Sequence, residues 1–187
     1  MRETILDFWF GKPGTGGYGK ERDEWFRKDA AFDETIRARF GAAIETALAG
    51  GFADWTDDRG LLARVLLLDQ FTRNVYRDTP RAFAGDVLAL ELARGAVARG
   101  VDRSLIPVER WFLYMPFEHA EDVAAQEMGL ELFARLRDHG LGGPLPWAQR
   151  HAEVVRRFGR FPHRNAILGR ASTAEEIAFL STPGSSF

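Results

Sequence analysis

The chain has no cysteine, only three lysines, no long apolar run and no stretch of strand-like alternation in its 187 residues. Without cysteine there can be no disulfide, no thiol nucleophile and no zinc site built on thiolates. The longest greasy run, Leu61 to Leu68, is interrupted by Arg64 and is too short to span a bilayer. The opening decapeptide carries Glu3 and Asp7 and has no apolar core of signal-peptide length, so a soluble cytoplasmic protein without a membrane partner is expected. A net charge of −2 predicts no bulk attraction to nucleic acid. Lysine is scarce against 22 arginines. Genomic base composition accounts for such a bias, and the sharper alternative is that many of the arginines make fixed, forked contacts with carboxylates.

What is present reads almost throughout with helical period. The length suits a single domain over 1–187 that buries a sizeable core. Ile5, Phe8 and Trp9 share a face of a first helix within 1–11. Pro13, Gly14, Gly16, Gly17 and Gly19 mark a glycine-rich connector over 12–20, with no Gly-Lys-Ser/Thr ending to make it a phosphate cradle. Phe32, Ile36, Phe40, Ile44 and Leu48 form an apolar stripe that stops at Gly50-Gly51. A third helix starts at Asp57 or Asp58 and runs through Tyr76. Pro107 suits the first turn of a later helix, and Pro116 is expected to end or kink it. The next helix is expected from about Glu118 to His139, and another from Pro146 to about Phe158. A short helix follows at Ala166–Leu168. Thr173-Ala174-Glu175-Glu176 has the capping-box pattern for a last one, and 181–187 reads as a frayed tail. The fold class is all-α, with roughly eight helices whose short connections place neighbours antiparallel. No internal repeat of fixed period is present.

Three segments could carry chemistry. In the third helix Asp69 and Arg73 are four apart, Arg77 follows one turn later, and Gln70 and Asn74 lie on the adjacent face. These polar groups continue an apolar face, so they should be partly buried and their charges paired. They either fix helix packing or form an arginine-and-amide platform over a groove. In the second segment, Tyr114 to Glu121, the proline break would set His119, Glu118 and Glu121 near a helix N-terminus. There a histidine can act as general base, while the carboxylates can equally be caps. His119 and Glu121 are two apart, which is not the His-Glu-x-x-His pattern, so neither a metal nor a cofactor is expected. The third segment gathers Arg156, Arg157, Arg160, His163 and Arg164, with Asn165 beside them, around the turn residues Gly159 and Pro162. Like charges so close require internal carboxylates such as Asp69, Glu118 or Glu121, or an anionic ligand, to hold them together.

Asp-Gln-Phe-x-Arg-Asn at 69–74, Tyr-x-Pro-x-x-His-x-Glu at 114–121 and Phe-Gly-Arg-Phe-Pro-His-Arg-Asn at 158–165 together resemble the bacterial family called domain of unknown function 924. Ile-Leu-x-Phe-Trp-Phe-Gly at 5–11 and Leu-Gly-Arg-x-Ser-Thr-x-Glu-Glu at 168–176 extend the resemblance over essentially the whole chain. It implies a tetratricopeptide-like α-α superhelix and no established activity. The family often has serine where this chain has Ala120, which leaves a histidine- or arginine-centred role open but not one for that serine as nucleophile.

Two functions fit these residues. One is a binding module in which Asp69, Gln70, Arg73, Asn74, Arg77, Tyr114, His119, Arg160, His163, Arg164 and Asn165 line a groove for a small anionic ligand or an acidic peptide end. The other is an enzyme of hydrolase or lyase type. In it His119 or His163 is the general base, Glu121 or Asp69 orients it, and the arginines stabilise negative charge. Nucleic acid is disfavoured by the acidic balance.

Overall fold

A computed structural model describes residues 1–185, and among them the secondary structure is helical throughout. Eight helices follow one another: α1 (Arg2–Phe10), α2 (Ala30–Leu48), α3 (Asp58–Val65, Leu66–Phe71 and Thr72–Val75, continuous), α4 (Asp86–Ala98), α5 (Pro107–His119), α6 (Val123–Asp138), α7 (Leu145–Phe158) and α8 (Ala174–Leu180). Short 3₁₀ turns fill several connections. Consecutive helices pack as neighbours from α5 through α7, while α3 sits at the centre against α1, α2, α4 and α5.

The apolar periodicity explains the packing. Ile36, Phe40 and Ile44 of α2 are fully buried, with Phe32 and Leu48 packed at the ends of the same stripe. Trp9, Phe10, Phe71 and Phe112 interlock edge to face and tilted, with ring centroids about 5–6 Å apart, the preferred geometry of aromatic pairs. A smaller cluster of Val154, Val155 and Phe161 sits under the arginine-rich turn. Local signals set the helix ends. Asp29, Asp57 and Asp122 each accept backbone N–H groups as N-caps, and Thr173 and Glu176 form the reciprocal capping box of α8. The glycine-rich connector is tied at Gly19, whose N–H reaches the Phe10 carbonyl, and at Tyr18, whose hydroxyl donates to Glu109.

Three expectations differ from the fold. Pro116 neither ends nor interrupts α5, which runs on to His119 and stops where Ala120 turns extended (φ −74°, ψ 135°). A proline this close to the C-terminus removes one backbone bond, and the burial of Phe112, Leu113 and Phe117 outweighs that loss. The following helix therefore starts at Val123 rather than near Glu118. Ala166–Leu168 is turn rather than helix. The expected tail, 181–187, is held through Ser185, whose hydroxyl donates to the Leu180 carbonyl, while Arg150 donates to the Gly184 carbonyl. Its last two positions lie outside the described residues.

Candidate functional site

The centre of the site is a π-helical segment, Leu66–Phe71, within α3. Such wide turns re-aim side chains and gather at functional positions. Asp69 lies in it with no exposed surface. Its Oδ1 accepts from His119 Nδ1 (2.8 Å) and pairs with Arg73 Nη1 (3.1 Å), and its Oδ2 accepts from Gln70 Nε2 (2.6 Å) and lies 2.9 Å from the same histidine nitrogen. Burial alone would raise the Asp69 carboxyl. Arg73 and His119 together outweigh it and hold the group well below its ordinary range, ionised. Arg73 also forks onto Asp86, at 2.8 and 3.0 Å, and bonds the Asp69 carbonyl at 2.6 Å. One turn on, Asn74 and Arg77 both donate to Asp33 of α2.

His119 is the last residue of α5, not the start of a helix. A carboxylate only accepts, so Nδ1 must carry the hydrogen that Asp69 receives. Nε2 is then the basic nitrogen, and it has no partner among the described residues. Burial and the neighbouring Arg73 lower the His119 pKa below the ordinary value, despite the opposing pull of Asp69. The ring is thus a neutral base of fixed tautomer at pH 7. Glu118 and Glu121, considered as caps, bind side chains instead. Glu118 lies 2.9 Å from His151 Nδ1, a nitrogen equally close to the Trp147 carbonyl. Glu121 takes a fork from Arg170 and the Phe161 N–H. Burial opposes those bonds, which nevertheless keep its carboxyl below the usual range. This commits Glu121 away from His119. Tyr114 does not reach the site either. It is buried in the core with its hydroxyl 2.7 Å from Asp102, and burial first and Asp102 second push its phenol up.

The arginine-rich turn divides. Arg160 points away, forking onto Glu176 at the start of α8 (2.7 and 2.8 Å). Asn165 is fully buried and ties Ser172 to Arg170. These two residues lock the turn to the C-terminal helix. Arg164 and His163 point the other way. The Arg164 guanidinium lies between the Phe83 and Phe161 rings, 4.6 and 4.5 Å from their centroids, and Nη1 reaches Asp86 at 3.2 Å. Its Nε is buried without a hydrogen-bond partner, and Nη2 bonds nothing among the described residues. Burial, reinforced by Arg73, lowers its pKa to about 10. Burial followed by Arg164 takes His163 down to about 4.

These residues line one cleft of about 450 Å³, where Gln70, Arg73, Asn74, Arg77, His119, His151, His163 and Arg164 meet an aromatic side formed by Trp25, Phe26 and Phe83. The volume is that of a small-molecule site. The cleft is not the pool of surplus positive charge that the arginine count suggests. Its cations Lys28, Arg73, Arg77 and Arg164 are met by Asp78, Asp69, Asp86 and Asp33. Of these acids, Asp78 lines the cleft and the others are not among its lining residues. Among the described residues, the buried Nε of Arg164 lacks an acceptor and the Nε2 of His119 has no partner. No three acids or histidines gather as a metal ion would require among the described residues. Asp86, His151 and Phe83 stand in or beside the cleft and were not singled out by sequence reading. Asp86 opens α4 directly after Gly85, where an acid reads as an ordinary first-turn residue, and His151 stands alone within α7 without a motif.

No helix of the described residues is long and apolar enough to cross a membrane. No curated protein matches the chain. A solved structure of a protein of unknown function from Agrobacterium tumefaciens, ATU0120, is 40% identical and superposes with a TM-score of 0.84 over 96% of each chain. The sequence profile of a family described as bacterial protein of unknown function, DUF924, matches residues 5–184. All three motifs that build the cleft lie within that match, and the chain belongs to the DUF924 family.

Proposed function

We propose that the cleft is an active site in which His119 is the general base for a reaction of hydrolase or lyase type on an anionic substrate. The observation that carries this reading is the Asp69–His119 pair. A buried, ionised carboxylate 2.8 Å from Nδ1 fixes the tautomer and leaves Nε2 open to the cleft. That is the orienting relation a catalytic carboxylate has to its histidine. A module that only binds anions has no need of a neutral imidazole held this way, because a hydrogen-bond donor would serve it better. Arg164 supplies the reason for an anionic substrate, since its buried Nε lacks an acceptor. Among the described residues no Ser, Thr or Cys lines the cleft. His119 therefore takes its proton from water or from the substrate itself, not from a side-chain hydroxyl or thiol. As negative charge develops, Arg164 and Arg73 stabilise it from a preorganised position. The place of action is taken to be the cytoplasm.

The test is turnover that depends on His119. Wild type and His119→Asn are incubated with a panel of anionic carboxylic esters, phosphoesters and β-substituted acids, and products are read by mass spectrometry. Conversion by wild type that His119→Asn lowers by two orders of magnitude or more supports the reading. Equal conversion by both proteins, or none by either across the panel, sinks it.

A further inference from the structure

A second hollow, of about 530 Å³, shares Phe83, His119 and Arg164 with the first cleft. Its remaining surface is mostly hydrocarbon: Pro80, Ala84, Val87, Leu90 and Leu168. Three acids also border it, and each is already committed. Asp86 receives Arg73 and Arg164. Glu121 receives Arg170 and the Phe161 N–H. Asp122 caps α6 and pairs with Arg94. They are not a cation site, and what this hollow offers a ligand is apolar surface. Val87 on its border is 70% exposed, a large apolar side chain held in water at the start of α4.

Of the three residues common to both hollows, Arg164 is the one with an unmet need at a buried donor. Arg164 is only 6% exposed, is clamped between two phenylalanine rings, and keeps its buried Nε without an acceptor. Nε and Nη2 together form the edge of a guanidinium fork that takes a carboxylate through two parallel bonds. Arg73 already spends Nη1 and Nη2 on Asp86 and the Asp69 carbonyl. A charge-balanced surround suits a monoanion better than a dianion.

We propose that the two hollows form one site for an amphiphilic carboxylate, with the head group on the open edge of Arg164 and an alkyl or acyl chain along Val87, Leu90 and Leu168. This assignment rests on the active-site reading above for what His119 then does to the bound molecule, and it narrows the substrate to an anion with an apolar tail.

The experiment is calorimetric titration of the full chain with butanoate, hexanoate, octanoate and decanoate, each below its micelle concentration. Affinity should rise about fourfold per methylene until the hollow is filled, the increment of burying one CH₂ group. Val87→Asp, at an exposed position where folding is not at stake, and Leu90→Asp should flatten that rise and leave butanoate binding in place. Arg164→Leu should lose butanoate binding at least tenfold. Wild type that binds this series but converts nothing in the ester, phosphoester and β-substituted acid panel refutes the catalytic reading alone. Affinity independent of chain length in the wild type overturns the proposal. So does a chain-length slope that survives in the Val87→Asp, Leu90→Asp double variant, which would mark adsorption elsewhere on the surface.

Discussion

Replacing Asp69 with asparagine tests the centre of the site, because one buried carboxylate there serves Arg73, His119 and Gln70 together. The substitution keeps the shape and removes the charge. Breaking a fully buried ion pair costs about 3–5 kcal/mol, since the partner is left with an uncompensated charge. Here Arg73 keeps its fork on Asp86, so the lower end applies, and a loss of about 3 kcal/mol is expected. For a chain of this length that corresponds to a fall in melting temperature of roughly 6–12 °C. The histidine gives a second readout. Asp69 is the principal group that raises the His119 pKa against burial and Arg73. The asparagine variant must therefore titrate His119 at still lower pH than wild type, followed by its imidazole carbon-bound proton resonances. Nitrogen shifts in wild type should report the hydrogen on Nδ1. A melting temperature within a degree of wild type, or a His119 that titrates higher in the variant, would refute the argument that Asp69 is ionised and holds both partners.

Acid should weaken the fold in a defined window. The His163 pKa is lowered to about 4 when folded, against an unfolded value near 6.5, so the unfolded chain takes up the proton first. The stability this group contributes is fully present above pH 6.5 and is lost as pH falls towards 4, by roughly 3 kcal/mol in denaturant titrations. His163→Gln should flatten that slope, and an unchanged slope would assign it to other groups. Arg164→Leu should leave stability within about 1 kcal/mol of wild type or raise it, because an incompletely partnered buried cation is exchanged for apolar packing. A large loss of stability in thermal melts would make Arg164 a brace rather than a recognition group. Tyr114→Phe should cost about 1–3 kcal/mol by leaving the buried Asp102 without its hydroxyl donor, with no change in carboxylate binding.

Most of the scaffold could be read in the chain because it follows from periodicity and punctuation. The four-residue stripe of α2, the capping box of α8 and Pro107 at the first turn of α5 are local rules that tertiary packing did not override. Pro116 was overridden, since three buried aromatic and aliphatic neighbours hold α5 together around it. That extension by one turn moved His119 from the start of one helix to the end of another and left Asp122, not Glu118, as the cap of α6. The π-helical turn at 66–71 leaves no mark in composition, and it carries the Asp69 that meets His119 of α5. Motif membership also could not say which way each arginine points. Arg160 and Arg164 are four apart in one motif, yet one braces α8 and the other enters the cleft. Which acid each would meet depended on Glu176 and Asp86, residues outside the motif itself.

The pairing of so many arginines bears on what the remaining open edge is worth. Arg73, Arg77, Arg160 and Arg170 each fork onto a carboxylate, and two of those acids, Asp86 and Asp33, also hold the cleft residues Arg164 and Asn74. Replacing such pairs with apolar residues is often neutral for stability, so their worth lies in direction rather than energy. They fix where Asp69 and Arg164 stand, and the two phenylalanine rings hold the Arg164 guanidinium between them. An anion that arrives therefore finds a guanidinium already aimed, but within a surround whose charge is balanced. Its head group should bind weakly on that edge alone, with most of the affinity drawn from the apolar tail. Weak hold on the head beside a preoriented base favours turnover over tight capture, because binding that is uniform between ground and transition states lowers KM without raising kcat.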